Sequence, residues 1–246
     1  MCNFLGYKVS ASNFLKLKKI EKELGSQAAI KLLTNGFDYG ETIVLRPSGQ
    51  NDFEIVNMHW EFIPSWIHNL EALKESRKKG IPMLNATSEK LLTSKVFRDA
   101  ALHRRCLVPA SHFFDWRHFA AEGTKKSIAY PYCIKLKEEP NFYMAGIWQT
   151  WTDKSTGEVI DCFAIVTTRA NNLMAKIHNK KERMPVILTE DLAWEWIFDD
   201  LSEERISEIS SYQYPESQLH AYTLRKDFKL LADPLEFFEY TELPSI

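Results

Sequence analysis

Apolar residues along this chain fall into short runs rather than long ones. Five runs follow one another closely over residues 106–108, 112–116, 129–136, 142–151 and 160–167. They are rich in β-branched and aromatic residues and bounded by turn formers, which predicts strands. FEIVNMHW at 53–60 predicts another, leading into Ile63-Pro64-Ser65-Trp66. Helical spacing is expected over 12–34, where Leu15, Ile20 and Leu24 lie roughly on one face and Gly25 ends the run. It is also expected over 86–99, where Leu92 and Val96 are four apart and Asn85 or Thr87 is the candidate cap. The pattern further predicts a short helix over 171–177, a strand over 184–188, acidic helices over 190–199 and 202–210, and a late strand over 220–224.

Many short strands with a few helices between them imply a mixed α+β fold with a strongly bent sheet or barrel-like core. No low-complexity linker or internal repeat interrupts the chain, so one domain is expected over 1–246, with 190–246 an acidic portion packed on it. Apolar residues make up 45% and charged residues 26% of the 246, which excludes a disordered or fibrous chain. No apolar run approaches the ~20 residues of a membrane helix, and the lysine-rich start is not a secretory signal. A cytoplasmic protein is expected.

The net charge of −2 hides an asymmetry. Residues 190–246 carry 14 acids and 4 bases, a net −10, which leaves +8 on residues 1–189. Basic residues cluster at 16–22, 74–79, 103–105 and 180–183. These are either solvated faces or the walls of a groove for a polyanion.

Familiar chemistry is missing from the motifs. There is no Gly-rich phosphate loop, no GxSxG elbow and no HExxH, and the seven histidines show no tight metal spacing. No cofactor or metal is expected. Cys106, Cys133 and Cys162 sit in apolar runs and are expected to be buried and inert. Cys2 is different. Methionine before a small residue is normally removed, which would make Cys2 the first residue and place an α-amine and a thiol on adjacent carbons. Their ordinary pKa values, roughly 7.7–8.0 and 8.5, leave both partly deprotonated near neutrality. A 1,2-aminothiol condenses with an aldehyde to an imine, and the sulfur then closes a five-membered thiazolidine. The same pair could instead attack an amide carbonyl.

Further segments narrow these alternatives. Met1-Cys2, Trp60 with IPSW (63–66), LNATSEKL (84–91), VFRDA with RRCLVPASHFFDW (96–116), AGIWQTW (145–151), IVTTRAN (165–171) and MAKIHNKKERMPVIL (174–188) occur in that order. In these segments the sequence resembles the SRAP family, the SOS response-associated peptidases or abasic-site processing proteins. The resemblance implies a bent, β-rich α+β fold with a positively charged groove for single-stranded DNA. It implies covalent capture of the ring-opened aldehyde of an abasic site by the N-terminal cysteine, with no cofactor. The protein would act as a monomer, cytoplasmic and associated with the nucleoid when on DNA.

Roles carry over residue by residue. Cys2 would be the nucleophile. Asn85 would hydrogen-bond near the Cys2 amine or the sugar, a role compatible with a helix cap. Asp115 would shuttle protons, its plain alternative being an ion-paired carboxylate at a strand end. His178 would be a general acid toward the sugar, its alternative a packed loop histidine. Arg98, Arg105 and Arg183 are candidate phosphate ligands, although one of Arg104 and Arg105 is expected to be structural because strand neighbours face opposite ways. Trp60, Trp66 and Trp116 could stack on bases or fill the core.

The match also has gaps. Asn3-Phe4 stands where relatives have Gly-Arg, and Thr87 stands where they often have Arg, so two phosphate contacts are missing. Asp115 is one methylene shorter than the usual Glu, and NKKE lengthens the interval between His178 and Arg183. Three readings remain. The first is covalent abasic-site capture, with strand cleavage through the imine as a side activity. The second is an N-terminal-nucleophile peptidase, which could be limited to self-processing. The third is a non-catalytic single-strand-binding module.

Overall fold

The computed structural model describes residues 2–8, 14–26, 31–80, 82–120, 123 and 126–246. Strands Phe4–Gly6 (β1), Phe14–Leu17 (β2), Ile20–Glu23 (β3), Thr34–Asn35 (β4), Glu41–Gly49 (β5) and Asp52–Trp60 (β6) lead to helix Leu70–Lys78 (α1). Then come Asn85–Thr87 (β7), Ser88–Leu91 (α2), Arg98–His103 (α3), Arg105–Ala110 (β8), His112–Phe119 (β9), Ile128–Leu136 (β10), Phe142–Thr152 (β11) and Val159–Arg169 (β12). The chain continues through Asn172–Ile177 (α4), Arg183–Pro185 (β13), Ile187–Leu188 (β14), Glu190–Phe198 (α5), Glu203–Ser210 (α6) and Leu219–Thr223 (β15).

The fold is mixed α+β, as the pattern predicts. In the larger sheet β12, β6, β5, β8 and β11 follow one another, and β11 pairs back onto β12, so the five close a barrel. β7 joins β12 in parallel, and β13 and β14 extend the rim. Closure removes the exposed edges an open sheet would present. The second sheet runs β15–β10–β9–β1–β4. One apolar cluster, including Leu5, Trp60, Val108, Phe113, Tyr132, Phe163 and Ile165, fills the space shared by the two sheets. Another, including Leu45, Phe53, Leu107, Ile147 and Trp196, seats the helices. Burial of that many large side chains, each contributing about 1.5–3 kcal/mol, holds the sheets in a fixed relation.

One expected helical stretch gives way to strands, and another is broken into a short strand and short helices. Within 12–34, residues 12, 13 and 27–30 lie outside the described residues, and the rest contains the β2–β3 hairpin. Leu15 and Leu17 are buried while Phe14 and Lys16 face out, a period of two rather than 3.6. Lys18 makes the turn at φ +52°, and its N–H donates to Glu190 Oε1 at 2.7 Å, docking the hairpin on α5. In 86–99 the expected single helix is β7 followed by the short α2 and α3. Residues 85–87 are taken into parallel pairing with Ile165–Thr167, a distant partner that local spacing cannot announce. Thr87, not Asn85, holds the N-cap position of α2. Strands β1 and β5 and helix α1 add to the expected elements.

The amino-terminal strand is held tightly on both sides. β1 pairs with β9 (Leu5 opposite Phe113) and with β4 (Phe4 opposite Asn35). A Cβ on Gly6 would come within 2.1 Å of the Leu32 carbonyl oxygen and 2.2 Å of His112 Nε2, so only glycine permits this packing. Among the described residues no helix is long and apolar enough to cross a membrane.

Candidate active site at the amino-terminal end of the smaller sheet

Four distant segments meet where β1 begins. Cys2 lies one residue beyond Asn3, and Asn3 is fixed from two directions. Its carbonyl accepts the Gly36 N–H at 2.9 Å, and its side-chain Oδ1 accepts from Asn85 Nδ2 at 2.9 Å. Asn85 is held in turn by β7. The carbonyl of Leu84, just before it, accepts from Trp60 Nε1 at 3.0 Å and from the Ile165 N–H at 3.1 Å. The Oδ1 of Asn85 is buried and has no hydrogen-bond partner among the described residues. Thr167 Oγ1 and Arg183 Nε, on the neighbouring β12 and β13, share that condition. Buried polar atoms left so are costly unless a ligand or water completes them.

Asp115 sits on β9 on the same face as Phe113, toward the shared core, and is 4% exposed. Its Oδ1 accepts the Trp116 N–H at 2.9 Å. Burial raises its pKa to about 6, and the positive amino terminus and the Trp116 N–H offset only part of that rise. His178 closes α4, and its backbone N–H donates to the Met174 carbonyl at 2.7 Å. Its Nδ1 accepts the Arg183 N–H at 3.0 Å. The neutral ring therefore carries its proton on Nε2, which lies 3.9 Å from Asp115 Oδ1. Burial lowers the His178 pKa to about 4, and the charges of the amino terminus and Lys181 act in the same direction.

Both shifts disfavour charge, so near neutral pH the pair is a neutral imidazole donor facing a carboxylate that exchanges its proton around pH 6. The Cys2 thiol is fully buried, lies 3.9 Å from the Phe4 carbonyl oxygen, and is pushed up to about 12 by burial. It is a thiol, not a thiolate.

A further device holds His178 in place. The lengthened 178–183 turn, with Glu182 at φ +49°, is fastened to β9 by one side chain. Asn179 Oδ1 accepts the His118 N–H at 3.0 Å, and Asn179 Nδ2 donates to the His118 carbonyl at 2.7 Å. Sequence reasoning missed this residue. Its only signal is an Asn inside the NKKE stretch.

The expected binding residues divide. Arg105 is 8% exposed, and its guanidinium donates to the carbonyls of Trp196, Ala101, Leu102 and Asp199 at 2.5–3.1 Å. It ties α3 to α5 and cannot reach a phosphate, which corrects that expectation. Arg104, its neighbour, pairs with Asp99. Trp60 is fully buried and stacked on Phe163 at 6.1 Å, so it is core and not a base platform. Arg98 is exposed and Arg183 is mostly buried, and they are paired with Glu203 and Glu89, each through two guanidinium nitrogens. Trp66 is 54% exposed and Trp116 is partly exposed. Cys106, Cys133 and Cys162 are buried in β8, β10 and β12, with thiol pKa values raised by burial. A cavity of about 450 Å³ opens away from this site, between Lys8, His112, Cys133 and Lys135 on the sheet face opposite Asp115. Its thiol is inert, and none of these four residues belongs to the amino-terminal site.

Comparison with known proteins gives the family and the fold. The family model described as SOS response associated peptidase (SRAP) matches residues 10–229. The abasic site processing protein YoqW of Bacillus subtilis is 32% identical over 169 residues, covering 65% of this chain and 68% of that protein. The abasic site processing protein YedK of Escherichia coli is 26% identical over 172 residues, covering 70% and 68%. A crystal structure of a protein from Bacteroides thetaiotaomicron superposes with a TM-score of 0.72 at 34% identity, covering 83% of this chain and 82% of that one.

Proposed function

The chain belongs to the SRAP family, and on that premise we propose that it captures abasic sites in single-stranded DNA covalently through Cys2. The observation that carries this reading is the convergence of Cys2 just before β1, Asn85 of β7, Asp115 of β9 and His178 just after α4 at one end of the smaller sheet. Its relatives YoqW and YedK bear names of abasic-site processing proteins.

The chemistry follows from the protonation states. Hydrolytic removal of Met1 frees the Cys2 α-amine. His178 Nε2–H donates to the sugar ring oxygen and favours the open aldehyde. The Asp115 carboxylate takes a proton from the ammonium, and the amine nitrogen bonds to the aldehyde carbon. Water leaves with a proton returned by Asp115, giving the imine. Because burial keeps the thiol protonated, sulfur acts second. It bonds to the imine carbon, its proton goes to nitrogen, and the thiazolidine closes with one water released overall. Diversion of the imine to β-elimination would cleave the strand, which is the lyase side activity. The Asn85 Oδ1, Thr167 Oγ1 and Arg183 Nε atoms without partners among the described residues supply acceptors and a donor for the sugar and its phosphate. Exposed Lys180 and Lys181 on the His178 turn bring positive charge to the groove, and Trp66 and Trp116 are its stacking candidates.

A peptidase reading needs a thiolate or an activated thiol at Cys2, and a thiol pushed up to about 12 weighs against it. The deciding experiment mixes mature protein with an oligonucleotide carrying one abasic site and reads the intact mass. A product of protein plus DNA minus one water, absent for Cys2→Ala, is expected. Cys2→Ser and Cys2→Ala both keep the α-amine and should give only an imine that survives when trapped with borohydride. An undiminished adduct from Cys2→Ala would overturn the reading.

A further inference from the structure

Beside this site an aromatic cluster carries a cation. Phe4, two residues after Cys2, meets Trp116, the neighbour of Asp115, edge to face at 4.9 Å. Trp116 in turn leans on Phe228 at 6.2 Å. Phe37, 44% exposed, meets Phe4 at 6.3 Å. The ammonium of exposed Lys229, on the 3-10 turn Phe228–Leu230, lies 3.8 Å from the Phe4 ring centroid and 5.1 Å from that of Trp116. These rings lie on the sheet face opposite Asp115 but at the same end of the sheet, where β1 begins. Lys229 is thus delivered by the acidic carboxy-terminal portion to the end of the sheet where β1 begins.

Its electrostatic setting differs from that of the arginines. Arg183 is paired with Glu89, Arg98 with Glu203 and Arg104 with Asp99, at 2.5–2.7 Å. Each of them must give up a carboxylate before its terminal guanidinium nitrogens grip a phosphate. Among the described residues no carboxylate lies within ion-pair distance of Lys229 Nζ, and Asp38 acts on it only at longer range. The rings hold the ammonium in place and partly strip its water. An arriving anion therefore meets a positioned, underhydrated charge and displaces no acidic partner. Partial burial lowers the Lys229 pKa, in keeping with that environment. Next to it the open ring of Phe37 offers a π-face to a base.

We propose that Lys229, seated on Phe4 and Trp116, binds a phosphate of the single strand next to the captured sugar, and that Phe37 stacks on a neighbouring base. This rests on the reading of abasic single-stranded DNA as the substrate. It assigns part of the electrostatic grip to a residue outside the motifs that carry the family resemblance.

The test uses the full chain and a fluorescent single-stranded oligonucleotide with no abasic site, so that no covalent step intervenes. Binding is titrated from low to moderate salt for the wild type, Lys229→Ala, Lys229→Arg and Phe37→Ala. Lys229→Ala should lower the slope of log K against log salt by about 0.7, the share of one phosphate contact on a single strand. Lys229→Arg should restore it. Phe37→Ala should weaken binding roughly tenfold with the slope unchanged. A Lys229→Ala protein with wild-type affinity and slope would overturn the proposal. The same preparations are scored for crosslinking to an abasic oligonucleotide. A wild type that binds the intact strand but forms no adduct counts against the covalent reading, while the salt slopes still decide on Lys229.

Discussion

The backbone N–H of Arg183 donates to Nδ1 of His178 at 3.0 Å, and this bond decides which ring nitrogen carries the proton. With Nδ1 occupied as an acceptor, Nε2 is the donor, and it faces Asp115 at 3.9 Å. An imidazole held neutral down to about pH 4 keeps that donor over the whole physiological range. In a nitrogen-detected NMR spectrum His178 should show the Nε2–H tautomer at pH 7 and no titration near 6.5. His178→Ala should slow adduct formation by roughly 10²–10⁴, the usual contribution of a positioned acid, while binding of an intact strand stays within a factor of two or so of the wild type. An adduct rate equal to the wild type's would remove His178 from the chemistry.

Asp115 links activity and stability in opposite directions. Its pKa of about 6 exceeds the ordinary value of 3.8. The stabilisation from its protonated form is therefore full below pH 3.8 and lost as pH rises through 6. Asp115→Asn should raise the unfolding free energy at pH 7.5 by roughly 2–3 kcal/mol, with the gain disappearing near pH 3.5. The wild-type crosslinking rate should rise across pH 6, and the same variant should lose that rise. Denaturant titrations at the two pH values, with adduct kinetics alongside, check both halves.

Asn179 joins the His178 turn to β9 through two hydrogen bonds to His118. Removing them in Asn179→Ala should cost about 1–2 kcal/mol locally and speed amide exchange across 178–183. Crosslinking should slow while global stability changes little. Exchange measured by mass spectrometry, with unchanged protection in that turn as the adverse result, decides it.

Arg105 serves four carbonyls rather than a phosphate. Arg105→Ala leaves those acceptors buried and unmade, and should cost about 3 kcal/mol or more of stability. Under folding conditions its salt dependence of DNA binding should match the wild type's. A lowered slope would return Arg105 to the DNA interface.

The central strands were legible because β8 to β12 each concentrate β-branched and aromatic residues between turn formers. Cys2, Asn85, Asp115 and His178 were legible because their types and order matched a known pattern, and the structure brings these residues together. Other features were closed to a linear reading. Leu15, Ile20 and Leu24 satisfy helical spacing, yet the β2–β3 hairpin buries Leu15 and Leu17 on period two and turns on a left-handed lysine. Trp60 and Trp66 stand near each other in sequence and cannot be told apart as core and surface until β6 is paired. The roles of Arg105, Asn179 and Lys229 depend on partners far along the chain, which periodicity does not encode.

Anchoring of β1 between β4 and β9 turns the short stretch ahead of it into a ruler. Asn3 is pinned through both its carbonyl and its side chain, so the reach of Cys2 is counted in residues and has no slack. Inserting a single glycine between Cys2 and Asn3 would leave the strand where it is and carry the reactive end off by about one backbone step of ~3.3 Å. A chain with every side chain of the proposed site intact would then misplace Cys2 by arithmetic alone.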